Sequence, residues 1–202
     1  DIGCYTLGAG HPWNALDTTV CMGASMGVAL GLDKGRAEAD RNKRVLAVIG
    51  DSTFMHMGMQ GLLDITYNRG NVTVLLLDNN TVGMTGGQNT PANGRDIHGL
   101  GAPQVDLVKV VEALGVKPER IHVVDPYELP VLFKVIREEI KVEEPSVIVA
   151  PRHDHRLQAL PPLPGRGGQV HGLRQLHRGR LPGDPRQPPR QGGEGFRPRG
   201  RA

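Results

Sequence analysis

The sequence predicts an α/β protein, a doubly wound parallel sheet, and three observations carry that reading. Short apolar runs at Val45 to Ile49, Val72 to Leu77, Ile121 to Val124 and Ser146 to Ala150 have the length and β-branched content of buried strands. Longer segments with helical patterning lie between most of them, the connection that parallel strands need. The first two runs end in polar, oxygen-bearing residues, Gly50-Asp51-Ser52-Thr53 and Asp78-Asn79-Asn80-Thr81. Open parallel sheets bind ligands outside those strand ends.

Asp1 to Asn14 is Gly-rich and irregular, a stretch suited equally to close backbone approach and to a plain surface turn. From about Leu16 to Lys34 small and apolar residues predict a helix. Its small residues, Cys21, Ala24, Gly27 and Gly31, suggest tight packing. Lys34 to Arg44 is a solvated connection into the first strand. A helix is expected from about Met55 to Asn68, where the Met55-His56-Met57-Gly58-Met59 cluster reads as packing rather than metal ligation. Val82 to Pro103 is a long Gly- and Asn-rich loop, a length that usually signals function or disorder. Arg95 and His98 lie in it, as contacts to a substrate carboxylate or as ordinary exposed residues. Further helices are expected over Val105 to Leu114 and Glu128 to Val142.

Composition bounds the functions open to the chain. Its 202 residues allow one ordinary domain and a tail, and aromatics are so few that the core must be aliphatic. No run approaches the roughly twenty apolar residues that span a bilayer, and no leader pattern stands at the start. Two cysteines, Cys4 and Cys21, make no disulfide framework, which fits a reducing, cytoplasmic location. The chain starts at Asp1 without Met and is expected to be a piece of a longer protein. Its net charge of +3 divides unevenly. Residues 1–150 carry 13 basic and 18 acidic side chains, a net of −5; residues 151–202 carry 11 Arg, no Lys and 3 acidic groups, a net of +8.

The two strand ends suggest a specific chemistry. Asp51 and Asn79 stand 28 positions apart, yet the βαβ topology sets them side by side. Asp51 offers a carboxylate, Asn79 a side-chain carbonyl, and the following bend a backbone carbonyl at Thr81. A small hard cation such as Mg²⁺ takes one or two such ligands and completes its shell with phosphate oxygens and water. Ser52, Thr53 and Thr85 supply hydroxyls, and the helix after Gly50 presents free N–H groups to a diphosphate. Taken singly, Asp51 reads as a helix N-cap and Asn79-Asn80 as a turn; their joint placement, followed by Thr85-Gly86-Gly87-Gln88, favours a site.

A GDS start, a gap of fewer than thirty residues and a closing NN resemble the thiamine diphosphate fingerprint. The string LDNNTVGMTGGQ is similar to the 2-oxoacid:ferredoxin oxidoreductases. GDSTFMHMGMQGLLDITYN and DIGCYTLG…VCMGASMGVALGLDKG most resemble the large (alpha) subunits of the indolepyruvate ferredoxin oxidoreductases, with the likeness running from Asp1 to about Val149. The resemblance implies Mg²⁺ ligands at Asp51, Asn79 and the Thr81 carbonyl. It places Gly50, Ser52, Thr53 and Thr85 near the diphosphate, and Cys21, Met22, Gly23 and Ser25 near the thiazolium or aminopyrimidine. It implies oxidative decarboxylation of a 2-oxoacid to an acyl-coenzyme A with electrons passed to ferredoxin. The activating glutamate is then expected on a separate pyrimidine-binding domain, and a second (beta) subunit as a partner. Pyruvate or 2-oxoglutarate oxidoreductase subunits and non-oxidative thiamine diphosphate decarboxylases are the near alternatives.

After Ala150 the composition changes, with Arg, Pro and Gly supplying 30 of the last 52 residues. Read literally, residues 151–202 form a disordered basic tail. A nucleic-acid-binding arm is the distant alternative, disfavoured by the absence of Lys and of interleaved aromatics. The resembled family instead continues into a ferredoxin-type module whose cysteines ligate 4Fe-4S clusters; this chain has no such ligands. A reading-frame shift between about Pro151 and His155 reconciles the two. Leu157, Leu160, Val170, Leu173, Leu176 and Leu181 each back-translate, with their neighbours, to an out-of-frame Cys codon. The six positions then spell C-x2-C-x9-C-x2-C-x2-C-x4-C-P. Coding DNA with no Cys-rich alternative frame would discard that expectation.

Overall fold

The computed structural model describes residues 1–152; the predicted tail otherwise lies outside the described residues. Four parallel strands form one sheet: β1 (Val45–Gly50), β2 (Val72–Asp78), β3 (Ile121–Val123) and β4 (Ser146–Pro151), in spatial order β1-β2-β4-β3. Val45 stands beside Val72, and Asp78 beside Pro151, so the carboxyl ends of the three longer strands are level. β4 is buried at every position, as expected of an inner strand covered on both faces.

Alternation along the strands divides the core in two. Val74, Leu76, Val147 and Val149 face one way, with Ala47 and Ile49, and meet α1 (Ala24–Gly35). They also meet the helical segment after β1 and α4 (Leu107–Ala113). Leu75 and Ile148 face the other way, against Leu132, Val135 and Ile136 of α5 (Leu129–Glu139). Helices on both faces of a parallel sheet make the doubly wound arrangement that the strand pattern predicts. Among the described residues, no helix is long and apolar enough to cross a membrane.

Local chemistry explains where the helices begin. The Asp106 carboxylate accepts from the amides of Val108 and Lys109 at 3.0 and 3.2 Å, capping α4. Pro130 stands in the first turn of α5, where its missing N–H costs nothing. α1 starts eight residues later than its composition suggests. Gly23, at φ +84°, bends the chain there, and a Cβ on it would stand 2.5 Å from the Met57 Cβ. The expected tight packing of Gly27 and Gly31 is not seen, since a Cβ on either would meet nothing within 4 Å. Close approach occurs instead at Gly61, where a Cβ would be 2.4 Å from that of Met26.

The helical segment after β1 starts at its first possible residue. α2 (Asp51–Thr53) passes through a π turn, Phe54–Gly58, into α3 (Met59–Tyr67). The Met59 amide bonds the Phe54 carbonyl, five residues back. One surplus residue is thus accommodated inside the helix, a feature frequent at functional sites. The 82–103 loop is more structured than its composition suggests. Two isolated antiparallel bridges, Val82 with Gln88 and Arg95 with Gly101, flank a 3₁₀ turn at Pro91–Asn93.

Candidate functional site

The carboxyl ends of β1, β2 and β4 border a cavity of about 370 Å³. Residues 50–53 line it together with residues 77–79 and 81–84, and Tyr5, Met22, Tyr127 and Arg152 are also on its wall. This is the strand-end crevice expected of an open parallel sheet.

Asp51 is the chemically distinctive group. It is 2 % exposed, and among the described residues its Oδ2 has no hydrogen-bond partner. Burial pushes its pKa up to about 7, with a further push from the Asp78 carboxylate, while the amides of Ser52 and Asn80 pull the other way. Ser52 and Thr53 are also buried. Buried polar groups are nearly always satisfied in folded proteins, so this carboxylate, on the wall of a cavity, is the candidate position for a ligand contact.

The second strand end is arranged differently. Asp78 Oδ1 accepts the Asn80 amide at 3.0 Å, and Asn79 Oδ1 the Thr81 amide at 3.3 Å. Asn80 adopts the left-handed conformation, at φ +56°, which Asn tolerates better than most residues. Thr81 donates its hydroxyl to the Gln88 carbonyl at 3.1 Å. Thr85 and Gln88 bond each other twice, hydroxyl to amide oxygen and amide nitrogen to backbone carbonyl, both at 2.7 Å.

Of the predicted site residues, the cavity wall includes Met22, Gly50, Asp51, Ser52, Thr53, Asn79 and Thr81. Thr85 lies outside the wall and is exposed. Gly23 sits behind Met22, its amide donated to the Asp1 carboxylate at 2.5 Å. Cys21 is exposed and off the wall. Ser25 is buried, its Oγ without a partner among the described residues, but it borders a separate groove along β1. Arg95, His98 and His56 are exposed and away from the cavity. Sequence reading missed Asp78, Tyr5 and Cys4, all of which line it. Asp78 had a signal, being the residue before Asn79-Asn80 at the end of the same apolar run.

The cavity thus brings together the buried Asp51 carboxylate, a second carboxylate at Asp78, and Asn79 and Thr81 on the same wall. A parallel sheet covered by helices on both faces, with a cavity at its strand ends, has the form of a ligand-binding α/β domain. The family model "Thiamine pyrophosphate enzyme, C-terminal TPP binding domain" matches residues 1–150, and the chain belongs to that family.

Within the family, the chain is similar to the alpha subunit of indolepyruvate oxidoreductase. Subunit IorA of Thermococcus kodakarensis is 39 % identical over 159 residues, covering 74 % of this chain and 24 % of that protein. IorA of Archaeoglobus fulgidus is 40 % identical over 150 residues, covering 74 % and 23 %. The chain therefore spans about a quarter of the length of these relatives. A 2-oxoglutarate:ferredoxin oxidoreductase from Magnetococcus marinus shares the fold, with a TM-score of 0.55 at 16 % identity over 78 % of this chain and 58 % of its own.

Proposed function

We propose that residues 1–150 hold the diphosphate and Mg²⁺ of thiamine diphosphate within a 2-oxoacid:ferredoxin oxidoreductase acting on indolepyruvate or related arylpyruvates. The observation that carries this reading is the buried, partnerless Asp51 oxygen on a cavity that also receives Asp78, Asn79 and Thr81. The names of the similar subunits support the substrate class. When bound, thiamine diphosphate supplies a nucleophilic carbon and an electron sink for decarboxylation; the protein's part is to place it.

Asp51, Asn79 and the Thr81 carbonyl would hold the Mg²⁺ that accompanies the diphosphate. Ser52, Thr53 and the free amides after Gly50 hydrogen-bond the diphosphate. Met22 borders the thiazolium side, and Gly23 fixes the turn that carries it. Thr85 reaches the diphosphate only after releasing Gln88. Cys21 and Ser25 act indirectly, since neither lines the cavity. The activating glutamate comes from a pyrimidine-binding domain outside this chain, and coenzyme A, ferredoxin and a beta subunit serve the assembled cytoplasmic enzyme. The isolated chain binds Mg²⁺ and cofactor weakly and has no turnover of its own; ferredoxin reduction by it would refute that. The tail is an out-of-frame remnant of the 4Fe-4S module, which sequencing of the coding DNA tests.

Calorimetric titration of thiamine diphosphate, with and without Mg²⁺, into the chain and its Asp51→Ala variant tests the site. Binding that needs Mg²⁺ and vanishes in the variant is expected. Equal binding by both proteins would overturn the assignment.

A further inference from the structure

A network of three hydrogen bonds joins the cavity's two sides through residues that the proposed cofactor chemistry does not use. The Tyr5 hydroxyl accepts the Gly50 amide at 3.1 Å and donates to Asp1 Oδ2 at 2.5 Å. The other Asp1 oxygen accepts the Gly23 amide at 2.5 Å. Asp1 is itself buried, and its backbone carbonyl accepts the Thr19 hydroxyl at 2.8 Å. The chain of contacts thus runs from the residue before Asp51 to the residue after Met22, across 45 and 22 positions of sequence.

We propose that Tyr5, acting through Asp1, is a positioning residue that couples the Gly50-Asp51 turn to the Met22-Gly23 turn. This rests on the reading of the cavity as a thiamine diphosphate site. Gly50 is the last residue of the edge strand β1, in register with Leu77 of β2, and its amide is donated to Tyr5. The aromatic ring is set against Gly3 and Gly50: a Cβ on Gly3 would stand 2.5 Å from Tyr5 Cε1, and one on Gly50 3.7 Å. Burial pushes the phenol's pKa up to about 12, so the hydroxyl keeps the proton that it gives to Asp1. At the far end, Gly23 has φ +84° and is pressed against Met57, which leaves that turn little freedom to settle elsewhere. Hydrogen bonds to a charged carboxylate are the stronger kind, and a buried carboxylate with a donor on each oxygen makes a stiff link. Tyr5 thereby fixes the backbone from which the Asp51 side chain leaves, and it ties that position to the turn bearing Met22.

The experiment compares the full chain with Tyr5→Phe, which keeps the ring and loses the hydroxyl, and with Tyr5→Leu, which loses both. Amide hydrogen exchange at Gly50 and Gly23 is measured without cofactor, and Mg²⁺-dependent thiamine diphosphate affinity by calorimetry. In Tyr5→Phe both amides are expected to exchange about tenfold faster and affinity to fall about tenfold, so the conservative ring does not rescue. Unchanged Gly23 exchange in Tyr5→Phe, or full affinity with Phe but not Leu, overturns the coupling and leaves only ring packing. Should Tyr5→Phe not fold, Asp1→Asn probes the same link from its middle, with faster exchange at both glycines expected and an effect at Gly23 alone overturning it. Absence of cofactor binding by the unaltered chain would count against the cavity's assignment, while the exchange data would still decide the coupling.

Discussion

The two polar turns at the carboxyl edge of the sheet use the same kinds of residue and reach opposite states. Residues 50–53 are buried or nearly so, and they leave a carboxylate oxygen unpartnered. Residues 79–88 are largely exposed, and their side chains close on one another: Asn79 on Thr81, Thr81 on Gln88, Thr85 on Gln88 twice. An exposed turn has water as an alternative and settles into local bonds at little cost. A buried turn has no such alternative, and a polar group left open there is uncommon in a folded protein. On the proposed function the first turn is preorganised, and the second would have to exchange its own bonds for those of the cofactor.

Substitutions can break this contrast or sharpen it. Asp51→Ala should weaken Mg²⁺-dependent cofactor binding more than about a hundredfold, since removing even outer-shell partners of a metal costs 10- to 100-fold. Acidity should act next most strongly. Because the Asp51 proton leaves only near pH 7, Mg²⁺ affinity should climb as pH rises from about 6 to 8, when the cation no longer competes with it. Stability of the metal-free chain should move the opposite way. The folded state holds a proton that an unfolded Asp releases near 3.8, so stability is highest below that pH, declines towards about 7 and is flat above it. Melting temperatures across that range should show the slope in the unaltered chain and lose it in Asp51→Asn.

Asp78→Asn should have a smaller and more pointed effect. Removing the neighbouring negative charge favours the Asp51 carboxylate, so the midpoint of Mg²⁺ binding should move to lower pH, readable by the same titration repeated across pH. Thr85→Ala should change cofactor affinity by no more than about threefold, because the exposed hydroxyl already has a partner in Gln88. A large Thr85 effect would show that the second turn opens fully around the ligand and would erase the contrast.

The parallel sheet was legible because strand runs and helical segments alternate along the chain, and the four runs match β1 to β4 within two residues. Asp51 and Asn79 were legible for a related reason, since topology alone brings the ends of adjacent parallel strands together. The start of α1 was not, because small and apolar residues continue smoothly through a bend imposed by one glycine's left-handed backbone. Burial was equally hidden: nothing in the residue types separates Asp51 from Asn79, yet one is enclosed and the other exposed. Tyr5 and Asp1 escaped notice because their bonds join distant segments, and no local pattern encodes a contact across 45 positions.

The π turn has a consequence for how this segment tolerates change in length. Each residue added to a regular helix rotates everything beyond it by about 100°. The surplus residue between Phe54 and Gly58 is instead taken up in one wider turn, so two ends with separate obligations keep their phase. Upstream, Asp51 and Ser52 are aimed at the cavity; downstream, Leu62 and Ile65 are aimed at the core. Deleting one residue within the π turn should therefore restore regular winding while keeping both ends in phase, whereas a deletion in the regular winding of α3 would turn one end away from its partner.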